Sequence, residues 1–487
     1  MTMKLGARKK AKVLGLLVLT WLMVQSVVAF CHLNKPLPLG IALAGRDRPA
    51  TEVRFFKDLT YLTPDGERQS EQEIFDAVFG MIDRAQSFVL VDMFLFNSYL
   101  GKGKIPFREL SMELTERLLS KKAAQPELEM VVITDPINTL YDGMESEHLN
   151  RLQSAGIQVV LSSVEKLRDS NPLYSSFWRM TGAWFGNSPG GLVPNPFGEG
   201  KVSLRSYGHL LNFKANHRKV IVSDDEYGPI ALVTSANPHD GSSAHENVAI
   251  QFRGPAVADV LDAENAVLKM SGAEGLEVEL PEKESPLFMG ADELSLQVLS
   301  ESRIKESVIT ALNTAGAGDR IRLVMFYFSD REIVESLLRS RRRGADVRVL
   351  LDPNRDAFGR EKSGMPNRQV AYELNLGQVE VRWRETHGEQ CHSKLILIEY
   401  HDQSAFLCTG SANYTRRNLD DFNLELNVAV RGRSDHDLFQ DVNRYFGQLW
   451  ANEGDKLFSV EYSLYSDSSL LRRGGYRVME ASGFCTF

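Results

Sequence analysis

Two segments of the chain share one pattern of polar residues. Each has a histidine, a lysine two positions later and a Ser-x-Asn sequence whose asparagine lies 20 or 21 positions after the histidine. The residues are His217, Lys219, Ser235 and Asn237 in the first segment, and His392, Lys394, Ser411 and Asn413 in the second. A pattern that occurs twice with such similar spacing predicts one reaction that uses both copies.

An imidazole and an ammonium presented together, twice, suit a phosphodiester substrate. Residues i and i+2 of a strand point to the same face, so each histidine is expected beside its lysine. One neutral ring can attack phosphorus and form a phosphohistidine, while the other ring, when protonated, can protonate the leaving oxygen. The lysines would hold the phosphate charge, and Ser235, Asn237, Ser411 and Asn413 would bind its oxygens. This chemistry requires no metal and no cofactor.

The similarity extends to the elements around the motifs. Short apolar runs occupy corresponding positions of the two halves, at 88–97 and 321–329, 131–136 and 349–354, and 247–253 and 427–431. Their composition is that of buried strands. Helical patterns alternate with them, including Ala256–Met270 and 435–450. This alternation predicts an α/β layered fold, duplicated within the chain.

The length of 487 residues also favours two domains. We expect residues 47–270 to form the first repeat and 296–487 the second, with a linker rich in Gly, Glu and Pro at 271–295. The first repeat carries an insertion at about 171–202, which contains six aromatic residues. It is expected to be a loop that lines an acyl-chain site, touches a membrane surface or folds down over its own aromatic side chains.

The amino-terminal segment, residues 1–46, has the pattern of a targeting signal. Five basic residues between Lys4 and Lys12 precede an uncharged apolar run of 18 residues at 13–30. Such a pattern is typical of an export signal, and the run is also close to the length that spans a bilayer. Because the basic end tends to stay in the cytoplasm, we expect the protein in the periplasm or cell envelope. It is either released there by cleavage or held by an N-terminal transmembrane anchor.

The paired motifs resemble the phospholipase D superfamily, whose mark is His-x-Lys-x4-Asp followed by Gly-Ser-x-Asn, usually twice per chain. The resemblance covers nearly all of the chain past residue 50. It implies two α-β-α layered domains related by pseudo-twofold symmetry, with both motifs in one shared active site. By the same resemblance His217 is the nucleophile and His392 the general acid and base.

The two motifs depart from the superfamily pattern at different places. Asp224 is present in the first motif, but Thr234 replaces the usual Gly, and in the second motif Glu399 replaces the Asp. Asp224 and Glu399 belong to the catalytic motifs. We expect them to act as structural partners at the strand ends, where a change from Asp to Glu is tolerated.

A later glutamate in each half is expected to orient a motif histidine. Glu425 lies in Asn-Leu-Glu-Leu-Asn, as in cardiolipin-synthase-like members, and Glu246 lies in His-Glu-Asn-Val, as in nuclease-like members. Measured from the Asn-Val that the segments share, the two glutamates are one residue out of phase. Because a one-residue slip turns a strand side chain to the other face, either a bulge intervenes or one assignment is wrong.

Two functions fit these residues. The first is a phospholipase D-like phosphodiesterase or phosphatidyltransferase that acts on glycerophospholipids at a membrane surface. The alternative is an envelope or secreted nuclease with the same two histidines. The formal net charge of −8 disfavours nucleic acid, which normally binds a basic surface. We therefore expect a phospholipid substrate, no nucleic-acid partner and a monomeric enzyme, with either water or an alcohol as the acceptor.

Overall fold

The computed structural model describes residues 2–101, 107–187, 191–278, 294–357, 360–485 and 487. Its centre is one sheet of sixteen strands that runs through both halves of the chain. Fifteen strands follow one another across the sheet in the order Ser459–Glu461, Glu380–Arg384, Asp346–Leu351, Arg320–Met325, Lys394–Glu399, Ser404–Gly410, Leu426–Arg433, Leu294–Ser300, Arg48–Leu62, Asn247–Arg253, Gly228–Thr234, Lys219–Asp225, Phe88–Met93, Glu129–Thr134 and Gln158–Leu161. The sixteenth, Arg68–Glu71, pairs with the end of Arg48–Leu62.

Helices cover the sheet on both faces. In the first half they are Thr2–Leu33, Ile74–Arg84, Leu110–Ala124, Glu147–Ser154, Pro172–Met180, Leu204–Leu210 and Ala256–Met270. In the second half they are Ser302–Thr314, Arg331–Arg342, Asn367–Leu376, Arg416–Leu419, Asp437–Ala451 and Leu470–Ser482. Along one strand, Leu90 packs in the hydrophobic cluster that both halves share, whereas Val89 and Val91 pack in a cluster on the opposite face. This alternation confirms the α-β-α layers that the sequence predicts.

The two halves join through their sheets. Strand Arg48–Leu62 of the first half pairs antiparallel with Leu294–Ser300 of the second. The register of the repeats is the same on both sides, because Met93 pairs with Lys219 and Met325 pairs with Lys394. The joint therefore gives one continuous sheet in which the strand that carries each motif lysine is the fourth from the joint.

The insertion is only in part the loop that the sequence predicts. Helix Pro172–Met180 begins it, with Pro172 at the first helical position, where its fixed φ and missing N–H are tolerated. Strands Val193–Pro194 and Lys201–Val202 pair near its end. Of the predicted linker, residues 279–293 lie outside the described residues, and the domain boundaries at 270 and 296 stay predictions.

The N-terminal helix Thr2–Leu33 contains a segment, Lys10–Leu33, that is long and apolar enough to cross a membrane. Only 6% of its most apolar window is buried against the rest of the protein. A transmembrane anchor and a signal sequence both have these properties, so the two alternatives predicted from the sequence remain.

A buried arginine ties the halves together beside the first motif. The Arg218 side chain is fully buried, and its guanidinium donates to Glu301 of the second half at 2.9 Å. It also contacts Glu264 of the first half at 3.4 Å. A buried charge is stable only when it is paired, so this cluster holds the two halves in one arrangement.

We predict that Arg218→Met lowers stability by about 3–5 kcal/mol, because it leaves two buried carboxylates without a cation. The thermal unfolding midpoint should fall clearly, and adding Glu301→Gln to the same chain should recover part of the loss. Arg444→Met is the matched control, because Arg444 pairs with Asp441 at the exposed surface and such pairs contribute little. Equal midpoints for the two single variants would contradict the structural role of Arg218.

Candidate active site

A cavity of about 520 Å³ lies between the two halves, beside the start of the strands that carry the motif lysines. Its aromatic lining residues are Phe94, Tyr99, Phe197, Phe326, Tyr327 and Phe487. Its polar lining residues include His217, Asn237, Lys362, His392, Asn413 and Arg417. One apolar cavity thus receives both histidines and both motif asparagines.

The two motif histidines face each other in this cavity. The ring centres of His217 and His392 lie 6.5 Å apart, with the ring planes at 73°. Each ring also packs on one phenylalanine, with centroid distances of 4.9 Å to Phe94 and 5.0 Å to Phe326. A phosphorus atom between the two rings would be within reach of both.

Glu425 holds His217 from the other half of the chain. Its carboxylate oxygens lie 2.9 and 3.0 Å from Nδ1 of His217. Because a carboxylate accepts, Nδ1 carries the proton, and Nε2 is the ring atom with a lone pair for attack. The carboxylate also accepts from Ser411 Oγ at 2.5 Å and from Asn418, and the backbone N–H of Glu425 donates to Glu301. These bonds fix the orientation of the ring.

Asn247 holds His392 from the first half. Its Oδ1 lies 3.1 Å from Nδ1 of His392 and accepts from Ser235 Oγ at 3.0 Å. Nδ2 of Asn247 donates to the His245 carbonyl, which keeps Oδ1 turned toward the ring. Nδ1 of His392 therefore donates in both charge states, and Nε2 is the nitrogen that gains or loses the proton.

Asn247 and Glu425 occupy equivalent positions in the two repeats. The backbone N–H of each histidine donates at 2.8 Å to the carbonyl of the residue before this partner, Glu246 in one case and Leu424 in the other. The motif serine contacts the partner side chain in both repeats. The first repeat therefore has a neutral amide where the second has a carboxylate.

The prediction that Glu246 orients a histidine is wrong. Its carboxylate is buried against Arg384, with Nε to Oε2 at 2.8 Å. The error comes from the resemblance of His-Glu-Asn-Val to nuclease-like members, which carries no information about strand register. The strand pairings make Asn427 equivalent to Ala249 and not to Asn247. The Asn-Val-Ala sequences of the two halves are therefore offset by two residues in the structure, and Glu425 is equivalent to Asn247. The one-residue mismatch between the two glutamates therefore results from the wrong assignment of Glu246, and not from a bulge.

Thr234 and Gly410 occupy equivalent positions, since Thr234 pairs with Ala249 and Gly410 pairs with Asn427. A Cβ at position 410 would clash with the Leu426 carbonyl oxygen and lie 2.6 Å from both Cα and Oδ1 of Asn427, so the backbone and the Asn427 side chain together require glycine there. Oγ1 of Thr234 accepts from the backbone N–H after the motif serine at 3.0 Å, as Oδ1 of Asn427 does in the other repeat at 3.1 Å.

Burial lowers the basicity of the whole site. Desolvation lowers the pKa of His217 to about 4, although Glu425 acts in the opposite direction. The pKa of His392 falls well below its usual value, through burial first and then the charge of Lys394. Burial also lowers the pKa of Lys219 to about 7 and that of Lys394 well below its usual range. An anion in the cavity would reverse these shifts, because it stabilises the charged forms.

Each motif lysine lies next to a phenylalanine ring that lines the cavity. The Lys219 ammonium donates to the His217 carbonyl at 2.6 Å and lies 5.0 Å from the centre of the Phe94 ring. Lys394 makes the corresponding bond at 2.5 Å and lies 5.1 Å from the centre of the Phe326 ring. Since an ammonium has three donors, each lysine keeps two N–H groups for other acceptors.

Asp224 and Glu399 lie near the far end of the motif strands, away from the histidines. Asp224 accepts from the backbone N–H of Ser87 at 2.9 Å. Glu399 accepts from Arg320 at 2.9 Å and from Asn443 at 2.8 Å. Both acids have the structural surroundings expected for strand-end partners, and neither lines the cavity.

The motif serines and asparagines have different surroundings. Asn237 and Asn413 line the cavity, where their amides can meet a phosphate. Ser235 and Ser411 instead hydrogen-bond to the side chains that hold the histidines. The predicted phosphate-binding role therefore fits the asparagines, and the serines fit a positioning role.

Two aspartates that support the site were not assigned a role from the sequence. Asp135 accepts from the backbone N–H of Asn216 at 2.7 Å, and Asp352 accepts from that of Cys391 at 2.8 Å. In each repeat this fixes the residue just before the histidine. Burial raises the pKa of Asp135 to about 7 and that of Asp352 to about 6. The signal available in the sequence was the Asp-Pro pair that ends the corresponding strand of each repeat.

Two more cations reach the cavity outside the motifs. Lys362 lies 5.4 Å from the centre of the Phe326 ring, and Arg417 donates to the Phe487 carbonyl at 2.9 Å. Within the described ranges, no group of three or more His, Cys, Asp or Glu side chains could hold a metal ion. The polar groups that approach a substrate here are therefore imidazoles, amides and cations.

Residues 308–450 match the family described as "Cardiolipin synthase, PLD-like domain". No curated protein matches the sequence significantly.

Among solved structures, the phosphatidylserine synthase of Haemophilus influenzae Rd KW20 superposes with a TM-score of 0.53 at 11% identity, over 93% of this chain and 96% of that one. The phospholipase D family member Nuc from Salmonella typhimurium has 19% identity and a TM-score of 0.27, over 34% of this chain and 97% of that one. Polyphosphate kinase from Porphyromonas gingivalis has 12% identity and a TM-score of 0.41, over 82% of this chain and 50% of that one.

The first of these structures shares the fold over nearly the whole chain, and the family match covers most of the second repeat. The second repeat therefore contains a domain of the cardiolipin synthase, PLD-like family, and the chain as a whole shares the fold of that phosphatidylserine synthase.

Proposed function

We propose that the protein cleaves or transfers the phosphodiester of glycerophospholipids through a covalent phosphohistidine. The observation that carries this proposal is the pair of facing histidines in one cavity. In each ring Nδ1 is occupied by a partner from the other half, which leaves Nε2 for chemistry. Two such nitrogens on opposite sides of one phosphate suit a two-step displacement.

The first step uses His217 as nucleophile. Its Nε2 forms a bond to phosphorus while the bond from phosphorus to the leaving oxygen breaks, and Nε2–H of His392 gives its proton to that oxygen. In the second step the now neutral His392 takes the proton of water or an alcohol, whose oxygen attacks phosphorus and breaks the P–N bond. Glu425 supports the first role, because its carboxylate stabilises the positive ring that forms on attack.

The motif lysines gain their charge from the substrate in this proposal. Burial lowers the pKa of both ammonium groups in the empty site, and a bound phosphodiester anion raises it again. Lys219, Lys394 and the amides of Asn237 and Asn413 then hold the phosphate oxygens. Their interaction strengthens as negative charge builds up, which lowers the barrier.

A lipid fits the rest of the cavity better than nucleic acid does. The aromatic side chains that line it offer contacts to acyl or glycerol carbons. Lys362 and Arg417 can bind an anionic headgroup or second phosphate. An N-terminal segment with the length and apolarity of a membrane span would hold the enzyme where such lipids are, outside the cytoplasm.

Mass spectrometry of the products tests this function. Purified protein incubated with mixed phospholipids should release phosphatidic acid in water and phosphatidylglycerol when glycerol is added, and EDTA should not reduce the yield. His217→Asn and His392→Asn should each lower the rate by at least about 10³-fold. His401→Asn is the control, because this histidine is exposed in the turn between strands Lys394–Glu399 and Ser404–Gly410, at the strand end away from the cavity. Cleavage of single-stranded DNA with phospholipids left intact would favour the nuclease alternative.

The covalent intermediate should form on one histidine only. In His392→Asn the second step lacks its base, so a phosphatidyl group should accumulate on His217 after rapid quenching. Peptide mapping under conditions that preserve phosphohistidine would locate it. An adduct on His392 in the His217→Asn variant, with none in the reverse case, would exchange the two roles.

The pH dependence of kcat/KM should follow the lowered pKa values. His217 must be neutral to attack, so activity should fall on the acid side near pH 4, below the usual histidine range. His392 must be protonated and Lys219 charged, so activity should also fall on the alkaline side, beginning below the usual histidine range because burial lowers the pKa of His392 and continuing above about pH 7, where Lys219 loses its charge. Glu425→Gln removes the group that raises the pKa of His217, so the acid limb should move to lower pH while kcat falls on the order of 10²-fold or more. Glu399→Gln, at the far strand end, should move neither limb, and an acid limb that rises in Glu425→Gln would contradict the assignment.

A further inference from the structure

We propose that the insertion of the first repeat docks in the lipid bilayer beside the N-terminal helix and connects the bilayer to the catalytic cavity. The surface concerned, called the insertion face below, consists of Leu173, Phe177, Trp184, Phe185 and Leu192. These side chains are 65%, 43%, 82%, 71% and 86% exposed, respectively. The docking surface itself follows from geometry, and only its role in delivering substrate rests on the proposed function.

The insertion face is continuous with the apolar N-terminal helix. Phe177 packs edge-to-face against Trp21, with ring centres 6.0 Å apart, and Gln25 donates to the Leu173 carbonyl at 3.1 Å. At the end of the helix, the His32 carbonyl accepts from the backbone N–H of Asp169. Helix Pro172–Met180 therefore lies along the last third of the N-terminal helix.

This contact sets the depth of the insertion. A helix rises 1.5 Å per residue, so Trp21 lies roughly 18 Å from the helix end at Leu33. If Lys10–Leu33 spans the bilayer, a side chain packed on Trp21 lies below the headgroup layer. Leu173 and Phe177 then face acyl chains, and the exposed Trp184 and Phe185 extend the same surface. Lipid is the occupant that also covers the apolar helix itself, whose outward side chains are exposed along its length.

The other end of the insertion forms a wall of the catalytic cavity. Pro196 and Phe197 line that cavity, and the Phe197 carbonyl accepts from the Gly101 backbone at 3.1 Å. One segment of about 30 residues thus contacts the bilayer at its start and the reacting lipid at its end. In this proposal the segment guides a phospholipid from the bilayer to the cavity.

The docking surface can be tested without enzyme activity. A nitrobenzoxadiazole label is placed at Trp184→Cys, and in a second chain at Leu376→Cys, with Cys31→Ser in both because Cys31 is the exposed thiol among the described cysteines. Leu376 is a matched control: it is 64% exposed but lies in the second repeat. The full chain is reconstituted in vesicles of phosphatidylcholine and phosphatidylglycerol with doxyl-labelled acyl chains.

The label at position 184 should shift to the blue and be quenched by the doxyl groups, and the label at 376 should do neither. Equal, water-like emission at both positions would overturn the proposal. A blue shift at 184 without quenching would also overturn it, since a protein surface would then cover the face.

Kinetics test the delivery of substrate. Trp184→Asp and Phe185→Asp should each raise KM for long-chain phospholipid in vesicles about tenfold, because each removes one buried aromatic contact with lipid. Turnover of dihexanoyl phospholipid monomers should not change, and Leu376→Asp should behave as the unaltered chain. An equal loss on both substrates would show a folding defect and overturn the role in delivery. If the unaltered chain turns over neither lipid, the proposed function fails, while the label experiment still decides the docking.

Discussion

Each motif histidine is held by a side chain from the opposite half of the chain, and the site depends on this exchange. Glu425 of the second repeat binds His217 of the first, and Asn247 of the first binds His392 of the second. Neither repeat contains a complete histidine site of its own. The sheet joint between Arg48–Leu62 and Leu294–Ser300 and the buried Arg218 cluster are therefore part of the catalytic architecture, because they fix the distance across which the partners reach.

The same joint buries the motif histidines and lysines, and this burial determines their protonation. Two lysines and two histidines buried close together would repel one another if all were charged. Burial lowers the pKa of all four groups, which weakens this repulsion in the absence of an anion. In the mechanism we propose, a bound phosphodiester raises these pKa values again and so favours the charged lysines. The buried cations would then interact with the phosphate in a low-dielectric environment, where their attraction is stronger than in water.

Much of this arrangement could be predicted from the sequence. The parts that could not be predicted depend on strand pairing or on contacts between distant segments. The strands, the helix Ala256–Met270 and the α/β layers follow from apolar periodicity, which reports local burial. His217, His392 and their lysines follow from the repetition of one pattern. Glu425 was found because its surroundings resemble a known family. Glu246 was also assigned from a family resemblance, and this was wrong because the strand pairings place Asn247, not Glu246, at the position equivalent to Glu425.

Other features depended on contacts between distant segments. Asp135 and Asp352 accept from backbone groups more than 35 positions away, a relation that no local pattern carries. The helix at the start of the insertion was likewise hidden, because Gly, Pro and Asn on either side of it indicate a loop. Its packing on the N-terminal helix joins residues about 150 positions apart.

The two histidines are not equivalent, because a carboxylate holds His217 and a neutral amide holds His392. In the mechanism we propose, this difference gives each ring its own role. A carboxylate stabilises a ring that becomes positive and stays so while phosphorus is attached, as the nucleophile must. A neutral amide fixes the orientation of a ring without holding a proton on it. That suits a residue that must give up a proton in the first step and take one in the second, since too high a pKa would stop the second step. The pseudo-twofold fold supplies two similar rings, and in the mechanism we propose the change from carboxylate to amide at one position makes one ring the nucleophile and the other the acid and base.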